Sequence, residues 1–196
     1  MQNPMKNYLV LLLLAAVAAG CSSAPSRFYT LNATAVGEPS AKSDWAVVVG
    51  PVSIPAEVDR PEFTVQVAPN RVAVDEFNRW AAPLNANIAR AVAGNLSALL
   101  GTPNVATLPL AGFDSAYRVT INVQKFESAP GKSVLVDAVW VVHAPAGGAT
   151  LSGRTVASEL AADDSFDALA AAHSRALAKV SVDIAAAIHA EAGAKP

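Results

Sequence analysis

The stretch from Ala116 to His143 sets the tightest limits on what this chain can fold into. Residues 116–127 alternate: Val119, Ile121 and Val123 point one way, while Arg118, Thr120, Asn122 and Gln124 point the other. A period of two with one apolar face marks a half-buried strand. Ala129-Pro130-Gly131-Lys132 then supplies turn chemistry. Residues 133–143 return with apolar side chains on both faces, Val134, Val136, Ala138, Trp140 and Val142 against Leu135, Val139 and Val141. That pattern predicts the central strand of a sheet. After a turn at 145–148, the more polar stretch 150–160 reads as a third strand near an edge. A chain with such a meander must also supply something to cover the sheet.

Two stretches can do so. Trp80, Leu84, Ile88, Ala91, Val92, Leu96, Leu99 and Leu100 recur at three- and four-residue spacing, which gives a helix one apolar face. The spacing predicts a helix over 83–100, with Pro83 near the first helical position, where a missing N–H costs nothing, and Gly101 as its stop. Phe166, Leu169, His173, Ala176, Leu177, Val180, Ile184 and Ile188 predict a second helix, with Asp163-Asp164-Ser165 as candidate caps. Shorter strands are expected at 27–31, 45–54, 63–67, 71–76 and 104–108. Gly50-Pro51 should interrupt the second of these, because proline cannot donate to a ladder. Residues 32–44 read as a loop. The fold class is therefore α+β: a single domain over residues 27–196, with a mostly antiparallel twisted sheet and two amphipathic helices packed on one face.

The N-terminus carries a different message. An uncharged apolar run from Tyr8 to Gly20 follows a short segment whose only charged side chain is Lys6. The run is too short to span a bilayer as a helix, which needs about 20 residues. It has the length of the apolar core of an export signal, followed by small residues at a cleavage point. Immediately afterwards comes Cys21, the only cysteine in the sequence. Ala18-Ala19-Gly20-Cys21 resembles the lipobox of bacterial lipoproteins, although Ala18 stands where that motif usually has leucine. The resemblance implies a signal peptide over 1–20, acylation of Cys21, and a lipidated tether over 21–26. Several acyl chains on one residue anchor stably where a single chain holds marginally. By the same resemblance, Ser22 after the cysteine favours the outer membrane, with the domain facing the periplasm.

Composition excludes several function classes. Removal of Lys6 with the signal would leave 13 basic against 16 acidic residues, the wrong balance for nucleic acid. With Cys21 acylated, no thiol remains for a disulfide, a nucleophile or a metal site. His143, His173 and His189 lack metal-ligand spacing to one another or to a carboxylate. Asp75-Glu76 and Asp163-Asp164 are sequence neighbours, which suits a strand end and a helix cap better than acid–base work across a cleft. Phosphate-binding loops and nucleophile elbows are absent from the sequence. Asn32-Ala-Thr34 and Asn95-Leu-Ser97 match a glycosylation pattern by chance. The reading is that the chain is not an enzyme and takes no cofactor beyond the covalent lipid on Cys21.

One ordered set of motifs is more specific. Phe28-Tyr29-Thr30-Leu31 is followed by Val49-Gly-Pro-Val-Ser-Ile-Pro55, then Asp59-Arg60-Pro61. Arg79-Trp80-Ala-Ala-Pro83-Leu84 then leads into the first helix. This order resembles the ABC-type transport auxiliary lipoproteins, the PqiC-like family, most densely between residues 45 and 100. The resemblance implies an accessory lipoprotein of an envelope system that moves lipid between membranes. Its partner would be a protein of the mammalian-cell-entry (MCE) type, and its contact with the membrane would be through acyl chains; the sequence leaves self-association open. Asp59, Arg60, Pro61, Arg79, Trp80, Pro83 and Leu84 are the motif residues, with either a structural role or a place in partner contact. The alternative function is a periplasmic module that holds an acyl chain in a cleft between helices and sheet.

Overall fold

The computed structural model describes residues 25–37, 43–108, 113, 115–145 and 147–193. Eight strands and two helices follow in the order β1 (Arg27–Tyr29), β2 (Val47–Ser53), β3 (Glu62–Ala68), β4 (Arg71–Trp80), α1 (Leu84–Leu100), β5 (Val105–Ala106), β6 (Tyr117–Ala129), β7 (Ser133–His143), β8 (Thr150–Leu160) and α2 (Phe166–Gly193). The strands form two sheets: five strands in the order β5-β2-β6-β7-β8, and three in the order β1-β4-β3.

The meander appears where the sequence places it. β6 pairs antiparallel with β7, and β7 with β8, along their whole lengths. β8 is an edge strand, and β7 lies one strand inside it rather than at the centre, which β6 occupies. The outer side of β7, with Leu135, Val139 and Val141, is half-buried, while its inner row is buried. Alternation in β6 is also not continuous. The register slips between Val123 and Lys125, leaving Gln124 and Lys125 both exposed. This bulge returns Phe126 and Ser128 to the core side, where strict alternation would have exposed them.

Both helices cover one face of the large sheet, α1 against β2 and α2 against β7 and β8, and they pack on each other. Val47 and Val49 of β2, Val119 and Ile121 of β6, and Val136 and Val142 of β7 meet Ile88, Val92 and Leu96 of α1 and Leu177, Ile184 and Ile188 of α2 in one buried core. α1 ends at Gly101 in the left-handed conformation (φ 62°), which glycine adopts without penalty. Ser165 caps α2, accepting the Ala168 N–H at 3.1 Å, and Asp163 in turn accepts the Ser165 N–H at 2.9 Å.

Three expectations change. The single sheet becomes two, because β3 and β4 form a hairpin that pairs with β1 and lies against β6 without joining its ladder. Parallel pairs appear at β2–β6, β2–β5 and β1–β4, so the sheets are mixed, although most of the pairing is antiparallel, in β6–β8 and the hairpin. The strand expected at 71–76 runs on to Trp80, so Trp80 closes β4 instead of belonging to the helix face. Pro83 precedes the helix that opens at Leu84. Gly50-Pro51, a cis bond, interrupts β2 as expected, and the register with β6 shifts between Val49 and Val52.

Candidate functional site

The motif residues, distant in sequence, meet at one corner of the small sheet. The Trp80 N–H donates to the Pro61 carbonyl at 2.7 Å, and the Ala81 N–H donates to the Tyr29 carbonyl at 2.8 Å. These two bonds draw the Asp59-Arg60-Pro61 turn and the start of the chain onto the end of β4. The Tyr29 hydroxyl donates to Asn78 Oδ1 at 2.7 Å. Beneath them lies an aromatic cluster: Phe63 stacks on Trp80 at 4.1 Å, and Tyr29 and Phe166 meet Phe63 edge-on at 5.5 and 5.2 Å. Trp80 continues edge-on to Phe126 at 6.1 Å. Rings from both sheets and from α2 thus interlock, and this packing fixes the small sheet on the body of the domain.

The corner divides the motif by exposure. Trp80 and Leu84 are buried. Arg79, half-exposed, forms an ion pair with Glu62 across the β3–β4 pairing. Asp59, Arg60, Pro61 and Pro83 lie at the surface. The structure therefore brings all seven motif residues into one region and leaves four of them on its outside. Cys21 and the apolar run before it lie outside the described residues.

Sequence reading missed one close pair. Ser128 Oγ and His173 Nε2 stand 2.7 Å apart, 45 positions apart in the chain, and both are buried. The His173 ring stacks on Phe126 at 3.8 Å with only 6° between planes, and Nδ1 has no hydrogen-bond partner. Burial pushes the imidazole down to about 3. A hydroxyl beside an imidazole is the core of nucleophilic catalysis, but here the base is weak and a third orienting group does not reach Nδ1. The pair joins β6 to α2 and fills the core. The signal for it was Ser128 on the strand's buried side, which the bulge in β6 conceals.

Asn95 is the second missed residue. Its amide is fully buried, and Oδ1 accepts the N–H groups of Thr34 and Ala35 at 2.8 and 2.9 Å. Its Nδ2 donates to Ser181 Oγ at 3.2 Å. One side chain thereby ties the segment after β1 to both helices. On the far end of the domain, the buried Tyr117 hydroxyl donates to Glu191 at 2.8 Å. Burial first, and the Glu191 carboxylate second, push Tyr117 up to about 12.

The other titratable candidates serve local structure. His143 bonds Thr150 at 3.0 Å on an exposed strand end, and His189 packs edge-on against Trp45 at 5.1 Å. Asp75 accepts the N–H groups of Phe77 and Asn78 at 2.9 and 2.8 Å. Among the described residues, no group of three His, Cys, Asp or Glu is placed to hold a metal ion, and no helix is long and apolar enough to cross a membrane. A groove of about 540 Å³ between α1 and β5 is a shallow surface feature, lined in part by Arg90, Gly94, Val105 and Leu108.

Known proteins place this geometry. A family model described as the ABC-type transport auxiliary lipoprotein component matches residues 29–185. A crystal structure titled only as an uncharacterized protein is similar at a TM-score of 0.71 and 19% identity, covering 84% of this chain and 99% of its own. Protein XCC0632 from Xanthomonas campestris, described as DUF330, is similar at a TM-score of 0.64 and 20% identity, covering 81% of this chain and 92% of its own. No curated relative matches in sequence. At these identities the two structures speak for the fold, and the family match speaks for kinship. The chain belongs to the ABC-type transport auxiliary lipoprotein family.

Proposed function

We propose that this protein is the outer-membrane-anchored accessory lipoprotein of an intermembrane lipid transport system, and that it acts as a docking subunit for a periplasmic MCE-domain partner without catalysing a covalent reaction. The observation that carries this reading is the family match across residues 29–185, which makes the chain an auxiliary component of a transporter. Two features of the chain agree with it. The Ser128–His173 pair, the nearest thing to a catalytic contact, is sealed in the core. Four motif residues, Asp59, Arg60, Pro61 and Pro83, are held at the surface by a rigid aromatic base, as a recognition surface requires.

In this reading Cys21 carries the acyl chains that hold the domain at the membrane, and residues 22–26 form a tether of limited reach. The space between helices and large sheet is filled by buried side chains, which gives the docking role more support than a cleft that stores an acyl chain. The test is co-purification from membranes. The acylated protein, extracted in mild detergent, should retain the MCE-domain protein of its transport system, and Arg60→Glu should reduce the recovered partner. Clean recovery of the lipoprotein without that partner, in a membrane where both are present, would contradict the docking role.

A further inference from the structure

Exposed apolar side chains gather on the small sheet. Among the described residues ten large apolar side chains are exposed, and five of them, Phe28, Val67, Val72, Val74 and Phe77, stand on β1, β3 and β4. Phe28 is 64% and Val72 54% exposed. A concentration of this kind on one small element marks an interaction surface.

Strand direction links the patch to the anchor. β1 runs parallel to β4, with Arg27 level with Asn78 and Tyr29 level with Trp80. The chain entering β1 therefore comes from the side of Phe77 and Val74, which is also the side of the turn at Pro69-Asn70. From Arg27 back to Cys21 the sequence spans six residue steps, at most about 20 Å. From Asn78 back to Val72 along β4 is again six steps, about 20 Å at the rise of a strand. A bilayer holding Cys21 is thus within reach of the far end of the hairpin.

We infer that the β3–β4 hairpin rests in the boundary between headgroups and acyl chains of the bilayer that holds Cys21, with Val67, Val72, Val74 and Phe77 as its apolar contacts. This inference rests on the reading that Cys21 is acylated. The occupant is a phospholipid surface. Charge does not draw the hairpin there, because its charged groups are mixed: Arg71 by the turn and Arg27 on β1 against Asp75 and Glu76 on β4. Asp75 is already turned onto the N–H groups of Phe77 and Asn78. Apolar burial next to an existing acyl anchor supplies the contact, as in other two-signal attachments.

The experiment uses the acylated full-length protein. With the native cysteine blocked by lipid, a new thiol takes a fluorophore selectively. Val74→Cys and Phe77→Cys report on the hairpin. Val182→Cys, on an exposed position sixteen residues along α2 and about 24 Å from its start, is the control. Each variant is checked for unchanged circular dichroism and reconstituted into phosphatidylethanolamine–phosphatidylglycerol vesicles containing brominated phospholipid. The labels at 74 and 77 should lose most of their emission and shift to the blue, while the label at 182 should not change. Protein that floats with the vesicles but shows no quenching at 74 and 77 would overturn the inference and leave the anchor intact. Shielding of position 74 only after an MCE-domain partner is added would overturn it in favour of a protein contact. Protein that does not float would overturn the acylation reading beneath it.

Discussion

His173 is a titratable side chain the fold holds neutral. Its imidazole is pushed down to about 3 by burial, while an unfolded histidine titrates near 6.5. The folded value lies below the unfolded one, so its stabilising contribution is complete above about pH 6.5 and is lost as pH falls towards 3. The slope in that window is about 1.4 kcal/mol per pH unit. Urea unfolding at pH 7 and pH 5 should therefore differ by about 2 kcal/mol in the native sequence. In His173→Gln that difference should shrink towards zero; an unchanged difference would place the titration elsewhere. Tyr117 works at the opposite end, since a raised phenol loses its contribution only as pH climbs from 10 to about 12.

Asn95 and Gly153 show how one position can hold several elements. Asn95→Ala removes the acceptor of the Thr34 and Ala35 N–H groups and one donor to Ser181 Oγ, which keeps its bond to the Leu177 carbonyl. Each lost hydrogen bond is worth about 0.5–1.5 kcal/mol, so a loss of about 2–4 kcal/mol is expected in chemical denaturation. Gly153 lies under the Trp140 indole, whose ring atoms occupy the space a Cβ would need. Trp140 also donates to Thr155 at 3.1 Å, and Thr155 donates to Asp183 of α2 at 2.5 Å. Gly153→Val should displace the indole, cost roughly 1–3 kcal/mol as overpacking does, and shift the tryptophan emission to the red. Neither residue announces itself in sequence. Asn95 reads as part of a chance glycosylation match, and Gly153 lies within a stretch read only as a polar strand near an edge.

At the scale of elements, legibility followed the range of the interactions. β7 and β8 have the bounds their local patterns imply, and α1 stops at the glycine that suits it. Those elements are dictated by periodicity and turn chemistry, which a sequence carries in adjacent residues. The parallel pairs are not, because β2 finds β6 some seventy residues downstream and nothing local records the choice. The two strands of the hairpin were legible at 63–67 and 71–76, but their separation from the main sheet was not. Burial along the hairpin's strands does not alternate, since Phe63, Thr64 and Val65 are all buried and residues 71–74 are all exposed, and the register jumps between Glu62 and Phe63. Trp80 followed the helical spacing of its neighbours by coincidence, and its packing on Phe63 assigns it to β4. Trp80→Ala should remove the ring that joins the two sheets and cost about 3–5 kcal/mol. If thermal unfolding is little changed, the aromatic corner is not what fixes the small sheet.

For the molecule as a whole, the fold supplies a rigid body, a set of family residues gathered at one corner, and a strand β1 that begins six residues after Cys21. The corner was legible as motif but not as place: the sequence separates Asp59-Arg60-Pro61 from Arg79-Trp80 by almost twenty residues, and the bond from Trp80 to Pro61 and the pairing of Arg79 with Glu62 unite them. The anchor rests on the resemblance of Ala18-Ala19-Gly20-Cys21 to a lipobox, and Cys21 lies outside the described residues. Cys21→Ser should leave circular dichroism and unfolding unchanged while moving the protein from the membrane to the soluble fraction. The central claim is that this domain works while held at a membrane by lipid on Cys21, and intact mass spectrometry of the detergent-extracted protein tests it most directly. The expected product is a mature chain that begins at Cys21 and carries the added mass of acyl chains. A chain that retains residues 1–20, or that begins at an unmodified Cys21, would contradict it.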